Sequence, residues 1–127
     1  LGYTTVNILT AADSVLIPVQ CEYLALEGLS KLLNTIKIVK QRLNPALLIN
    51  GVILTMYDNR TTMSKQVTAE IYRYFGDKVY TVPVPRNIKL VESPSFGVPV
   101  VLHAPKSTGA ASYEALARQF LERENQR

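Results

Sequence analysis

Two short polar segments hold most of the side chains that could do chemistry, Tyr57-Asp58-Asn59-Arg60-Thr61 and Pro85-Arg86-Asn87-Ile88-Lys89. Arg60, Arg86 and Lys89 supply cationic donors of the kind that bind phosphate oxygens. Pro85 stiffens its loop, whose exposed backbone groups could clasp a flat base, although ordinary surface loops carry the same residue types. Catalytic sets are harder to find. None of the six glycines precedes a lysine, so the chain has no G-x-x-x-x-G-K-[ST] phosphate loop. The single histidine, His103, stands among apolar residues and proline without an evident second group, which general base chemistry needs, and it reads as structural. Cys21 is the only cysteine: it can form no internal disulfide, and one Cys with one His is too few for a zinc site. It reads as a small packed residue. Asp13, Glu22, Asp58 and Glu92 all fall near expected element ends, where capping or solvation is the default role.

The elements that must position these segments follow from hydrophobic periodicity. Leu47, Leu48, Ile49, Val52, Ile53, Leu54 and Met56 are apolar on both alternating faces, the pattern of a central parallel strand covered on two sides. Asn50-Gly51 is a hairpin signal, but a hairpin there would have very short arms with no polar face. The polar residues 57–60 then lie at the carboxyl end of the strand, where open α/β sheets bind ligands. Upstream, Leu1 to Thr10 is expected to form a short helix or a segment packed on the sheet, and Ser14 to Val19 a short strand ended by Pro18. Leu29, Leu32, Leu33, Ile36, Val39 and Leu43 recur at three and four residues, predicting an amphipathic helix over 24–43 that Asn44-Pro45 ends. A second helix is expected over 63–75, with Met63, Val67, Ile71 and Tyr74 or Phe75 inward and Gly76 as its stop.

Lys78 to Pro85 is expected to be a third strand, Arg86 to Gly97 a loop with at most one helical turn, and Val98 to Leu102 extended. A last helix is predicted from an N-cap at Ser107 to about Glu124, burying Tyr113, Leu116, Ala117, Phe120 and Leu121. The order strand, helix, strand, helix, strand implies an α/β fold: a mostly parallel sheet with helices on both faces. In it the two polar segments lie side by side on one rim.

Length and composition bound the rest. A chain of 127 residues suits one domain, and 47% hydrophobic with 19% charged residues is ordinary for a globular protein. No apolar run approaches the roughly 18 residues of a membrane span, and a lone cysteine fits a reducing, cytoplasmic setting. Between Arg60 and Lys89 there are six basic residues and two acidic ones, which accounts for the whole net charge of +4. Clustered positive charge collects phosphate backbones, and solvated helix faces also carry it.

Three runs carry a family resemblance: LTAADSVLIPVQCEYLALEGLSKLLNTI, GVILTMYDNRTTMSKQV and VPRNIKLVESPSFGVPV. They resemble the carboxyl-terminal half of the ParA/Soj chromosome- and plasmid-partitioning ATPases, relatives of MinD and the nitrogenase iron protein. The likeness extends from Leu1 to about Phe120. It implies a P-loop NTPase-like fold of the deviant Walker A type, incomplete at the N-terminus, with residues 1–127 as the carboxyl-terminal portion of one ATPase domain. It also implies ATP with Mg, an ATP-sandwich homodimer, nonspecific DNA, a ParB-type partner that stimulates hydrolysis, and a cytoplasmic, nucleoid-associated setting.

By the same resemblance the phosphate loop and switch aspartates lie upstream of Leu1-Gly2, so no catalytic or metal-binding residue is expected in this chain. Arg60 and Lys89, with Arg86, match basic positions that contact DNA; Lys at 89 replaces a common Arg. Pro85, Arg86 and Asn87 match the loop near adenine, with Met56 at the adjacent strand end. Tyr23 to Leu29 would begin a helix near the dimer and second-switch region. Two other classes stay open, a MinD-like membrane-associated ATPase and a stand-alone basic nucleic-acid-binding module without catalysis.

Overall fold

A computed structural model describes residues 2–22 and 24–126; the expectation for Tyr23 lies outside them, while Ala25 to Leu29 is helical. The elements in chain order are α1 (Tyr3–Ala11), β1 (Ser14–Gln20), α2 (Ala25–Arg42), β2 (Leu48–Thr55), α3 (Thr62–Phe75), α4 (Ile88–Phe96), α5 (Val100–His103) and α6 (Thr108–Asn125). The central run is a single strand. β1 and β2 pair in parallel, with the register shifting where Val15 faces Ile49 and Leu16 faces Gly51, so Asn50 is an extra residue on β2. That bulge resets the alternation. Ile49, Val52 and Leu54 consequently face the same core, together with Ile17 and Val19 of β1.

Helices cover both faces. Under β1 and β2, Leu9 of α1, Ile36 and Val39 of α2, and Val67, Ile71 and Phe75 of α3 complete one apolar core. On the other face Ile53, Tyr80 and Val84 pack beneath Leu116 and Phe120 of α6. Thr61 caps α3 through its hydroxyl, which accepts from the Ser64 N–H at 3.1 Å, and Gly76 leaves the helix at φ 56°, a conformation open chiefly to glycine. Asn44 ends α2 and ties it to α1, donating to the carbonyls of Leu9 and Ala12 at 3.0 and 2.9 Å.

The third strand is only half realised. Tyr80 N donates to Val52 O and Val84 N to Leu54 O, so the segment runs parallel beside β2, but only Val79 and Pro85 form bridges. Four residues on one side span two on the other. The surplus, with Pro83 unable to donate, bulges out of the ladder, and the Thr81 N–H finds the Gln119 side chain of α6 instead. Two other expectations fail. Residues 88–96 are helical because Asn87 caps them, accepting from the Lys89 N–H at 2.9 Å; Pro94 sits within the helix near its end and Gly97 closes it in a left-handed conformation. Val100 to His103 makes a helical turn after Pro99, not an extended segment.

The inward faces are also narrower than the periodicity predicts. Leu43 and Met63 are exposed, Phe75 and not Tyr74 takes the inward place at the end of α3, and on α6 Tyr113, Ala117 and Leu121 form an exposed stripe one turn apart, leaving Leu116 and Phe120 to anchor the helix. α6 is held at its other end by a polar lock. The Arg123 guanidinium donates to the carbonyls of Asn50, Lys78, Asp77 and Val79 at 3.0, 2.9, 3.0 and 3.3 Å and lies 4.0 Å over the Tyr80 ring. The Tyr80 hydroxyl donates to Asn50 Oδ1 at 2.6 Å, and the Asn50 amide donates to Glu124 at 2.8 Å.

Candidate nucleic-acid and nucleotide interface

The two polar segments do lie side by side. Tyr57 N donates to Val84 O at 3.0 Å and Arg86 N to Tyr57 O at 3.3 Å, joining the loop after β2 to residues 84–86. Met56 makes the connection possible by turning left-handed, φ 53°, where a non-glycine residue costs roughly 1–2 kcal/mol. We expect Met56→Gly to raise the unfolding free energy by about 0.5–1 kcal/mol in urea titrations. A loss of stability would show that the Met56 side chain outweighs its backbone strain.

Each sequence-identified cation is positioned by a carboxylate. Asp58 Oδ1 accepts from Arg60 Nε at 3.0 Å and from the Arg60 N–H at 3.0 Å, and Oδ2 accepts from Nη2 at 3.1 Å. These hydrogen bonds, then the charge, hold the Asp58 carboxyl below its ordinary range and raise Arg60. Of the five guanidinium N–H groups, two are engaged and three remain for a phosphate. The Arg60 side chain is 86% exposed, so the pair aims the group rather than burying it. Arg86 Nη2 donates to Glu22 at 2.8 Å, clamping the loop after β1 to the same rim. Lys89 Nζ donates to Glu92 Oε2 at 3.3 Å.

His103 has a partner after all: its Nε2 lies 3.0 Å from the same Glu92 oxygen, and its ring stacks on Phe96 at 4.5 Å between centroids. His103, first, and Lys89 hold the Glu92 carboxyl below its usual range. Both partners lie on the preceding helix α4, in a stretch the sequence reads as a loop, so nothing in the linear pattern pairs them with the histidine. Asn87 is committed to structure, capping α4 and donating to Thr108 Oγ1 at 2.6 Å. Cys21 is buried near Thr68, and burial pushes its thiol up, as suits a packed residue.

The basic window does not form one patch. Arg60, Arg86 and Lys89 gather at the carboxyl rim, but Lys78 reaches the opposite end of β2, donating to Ile49 O at 3.2 Å. Because Asp58 offsets the Arg60 charge, Asp58→Asn should tighten phosphate-backbone binding roughly two- to fivefold at low salt. Unchanged affinity in filter binding would take Arg60 out of the contact. For a nucleotide, the exposed Met56 and the half-buried Pro85 offer an apolar rest for a base and Arg86 a cation. Among the described residues no group of three or more His, Cys, Asp or Glu could hold a metal.

This parallel α/β architecture is that of P-loop NTPase-like structures. The crystal structure of cobyrinic acid a,c-diamide synthase from Mycobacterium smegmatis with bound ADP and magnesium superposes with a TM-score of 0.74 at 35% identity, over 98% of this chain and 44% of that one. A family model described as an AAA domain matches residues 1–49. The sporulation initiation inhibitor protein Soj of Bacillus subtilis is 56% identical over 119 residues, 94% of this chain and 47% of that protein. The chromosome partitioning protein ParA of Myxococcus xanthus is 54% identical over 124 residues, 98% of this chain and 44% of that protein. The chromosome-partitioning ATPase Soj of Treponema pallidum is 50% identical over 127 residues, with 50% of its length covered. The chain belongs to the ParA/Soj family. It spans about half the length of the curated relatives it matches.

Proposed function

We propose that the protein is the carboxyl-terminal portion of a single ParA-like ATPase domain that segregates chromosomes or plasmids. The observation that carries the reading is identity of 50% or more with partitioning proteins over nearly the whole chain. In this reading ATP binds in a sandwich homodimer, with Met56, Pro85, Arg86 and Asn87 near its base. The phosphate and magnesium ligands belong to parts of the domain beyond these residues. Arg60, Lys89 and Arg86 contact nonspecific DNA, a ParB-type partner stimulates hydrolysis, and the complex works on the nucleoid in the cytoplasm. Asn87 acts through α4, whose first turn it fixes beside Arg86, and not through a free amide.

The test is sedimentation of the full-length protein with duplex DNA in ATP and in ADP. Cosedimentation in ATP alone is expected. One observation favours a second, MinD-like reading: the exposed stripe of Tyr113, Ala117 and Leu121 on α6 has the apolar spacing that a lipid-facing helix needs. Cosedimentation with anionic vesicles, and none with DNA, would favour it over partitioning on DNA.

A further inference from the structure

Away from this rim, a groove of about 880 Å³ runs between α2 and α3. Leu26, Leu29 and Leu33 of α2 and Ile71 of α3 give it an apolar lining, and Lys37, Lys40 and Lys78 gather toward the carboxyl end of α2. The α2 residues follow one another at three or four positions, so they form one stripe that changes from apolar to basic along its length. From Leu26 to Lys40 the stripe is roughly 21 Å long, about four helical turns.

Its charge differs in kind from that of the rim. Arg60, Arg86 and Lys89 each already hold a carboxylate, whereas among the described residues no carboxylate lies within 4.0 Å of the ammonium of Lys37, Lys40 or Lys78. The one acid lining the groove, Glu70, is taken by Arg73 at 2.8 Å. Three cations therefore face the groove without an intramolecular counter-charge. A nucleic-acid backbone would meet these lysines but gain nothing from the leucines, while an amphipathic helix would use both.

We propose that the groove docks an acidic amphipathic helix of a partner protein, with leucine-like anchors over Leu26, Leu29 and Leu33 and carboxylates against Lys37, Lys40 and Lys78. The occupant runs antiparallel to α2, since carboxylates in its first turn also favour its own helix.

The probe is a fluorescein-labelled helical peptide of about 15 residues, with leucines on one face and glutamates clustered at its amino-terminal end, titrated by anisotropy with the full-length protein. Saturable micromolar binding is expected, weakened roughly tenfold by combining Lys37→Glu with Lys40→Glu. A second peptide carrying lysines for those glutamates should bind the double variant better than the unaltered protein, a reversal that misfolding cannot produce. DNA binding of the double variant should be unchanged. Absence of saturable binding, equal binding of a scrambled peptide of the same composition, or failure of the charge reversal would overturn the proposal. Displacement of the peptide by duplex DNA, with DNA binding lost in the double variant, would assign the lysines to nucleic acid and overturn it as well.

Discussion

Gly51→Ala is expected to cost about 4 kcal/mol of unfolding free energy, at the upper end of single-residue effects, although it adds only one methyl group. A Cβ at this position would lie 2.5 Å from the Lys78 carbonyl oxygen and 2.6 Å from the Tyr80 ring, besides striking the Arg123 guanidinium. A side chain can move; the carbonyl belongs to backbone held beside β2 by the Tyr80 to Val52 hydrogen bond and cannot give way without breaking that pairing. Arg123→Ala removes four hydrogen bonds to carbonyls and a cation over Tyr80, which for a half-buried guanidinium is worth about 3 kcal/mol. Arg123→Lys should recover little, because a point charge cannot reach four acceptors spread over two segments. Both single changes break one lock, so the double variant should lose clearly less than their sum. Urea unfolding of the full-length protein measures all four; full additivity would show that Gly51 and Arg123 act separately.

That lock was half legible. An isolated glycine inside a strand pattern is compatible with a bulge or a close backbone approach, and Asn50-Gly51 provides both, yet the groups that approach, the Lys78 carbonyl, the Tyr80 ring and the Arg123 guanidinium, all lie well downstream. Local signals served well where the cause was local: Ser107 caps α6, Gly76 stops α3, and the 47–56 run is one strand. They misled where two local signals competed. An internal proline, Pro94, disfavours a helix over 88–96, but it stands near the end of a short helix that Asn87 caps and Gly97 closes. Prolines 83 and 85 marked the end of a strand whose bulge could be seen only once Gln119 was in place to receive Thr81. At the rim, cation types and strand ends placed Arg60, Arg86 and Lys89 together, but their carboxylate partners, Asp58 two residues before Arg60, Glu92 three after Lys89 and Glu22 in a distant loop, all fall outside the basic window from Arg60 to Lys89.

Replacing both Arg60 and Lys89 by Ala should weaken DNA binding roughly a hundredfold near physiological salt, about tenfold for each cation lost. Arg60 keeps three guanidinium donors free of Asp58 and is largely exposed beside the first turn of α3. Lys89 stands in the first turn of α4, where Asn87 fixes the helix start, so both cations add to the positive end of a helix. Contacts of this kind read phosphate and not sequence. Nucleotide affinity should barely change, since among the described residues the side chains of Arg60 and Lys89 hydrogen-bond Asp58 and Glu92 and not Met56, Pro85, Arg86 or Asn87.

The central claim is tested most directly by titrating full-length protein carrying Arg60→Ala or Lys89→Ala, in ATP, against two unrelated duplexes over a range of salt. Each variant should lose affinity equally on both duplexes, and the slope of log affinity against log salt should fall by about 0.9 per residue. Unchanged affinity, or loss confined to one duplex, would contradict the assignment of this rim to the DNA backbone.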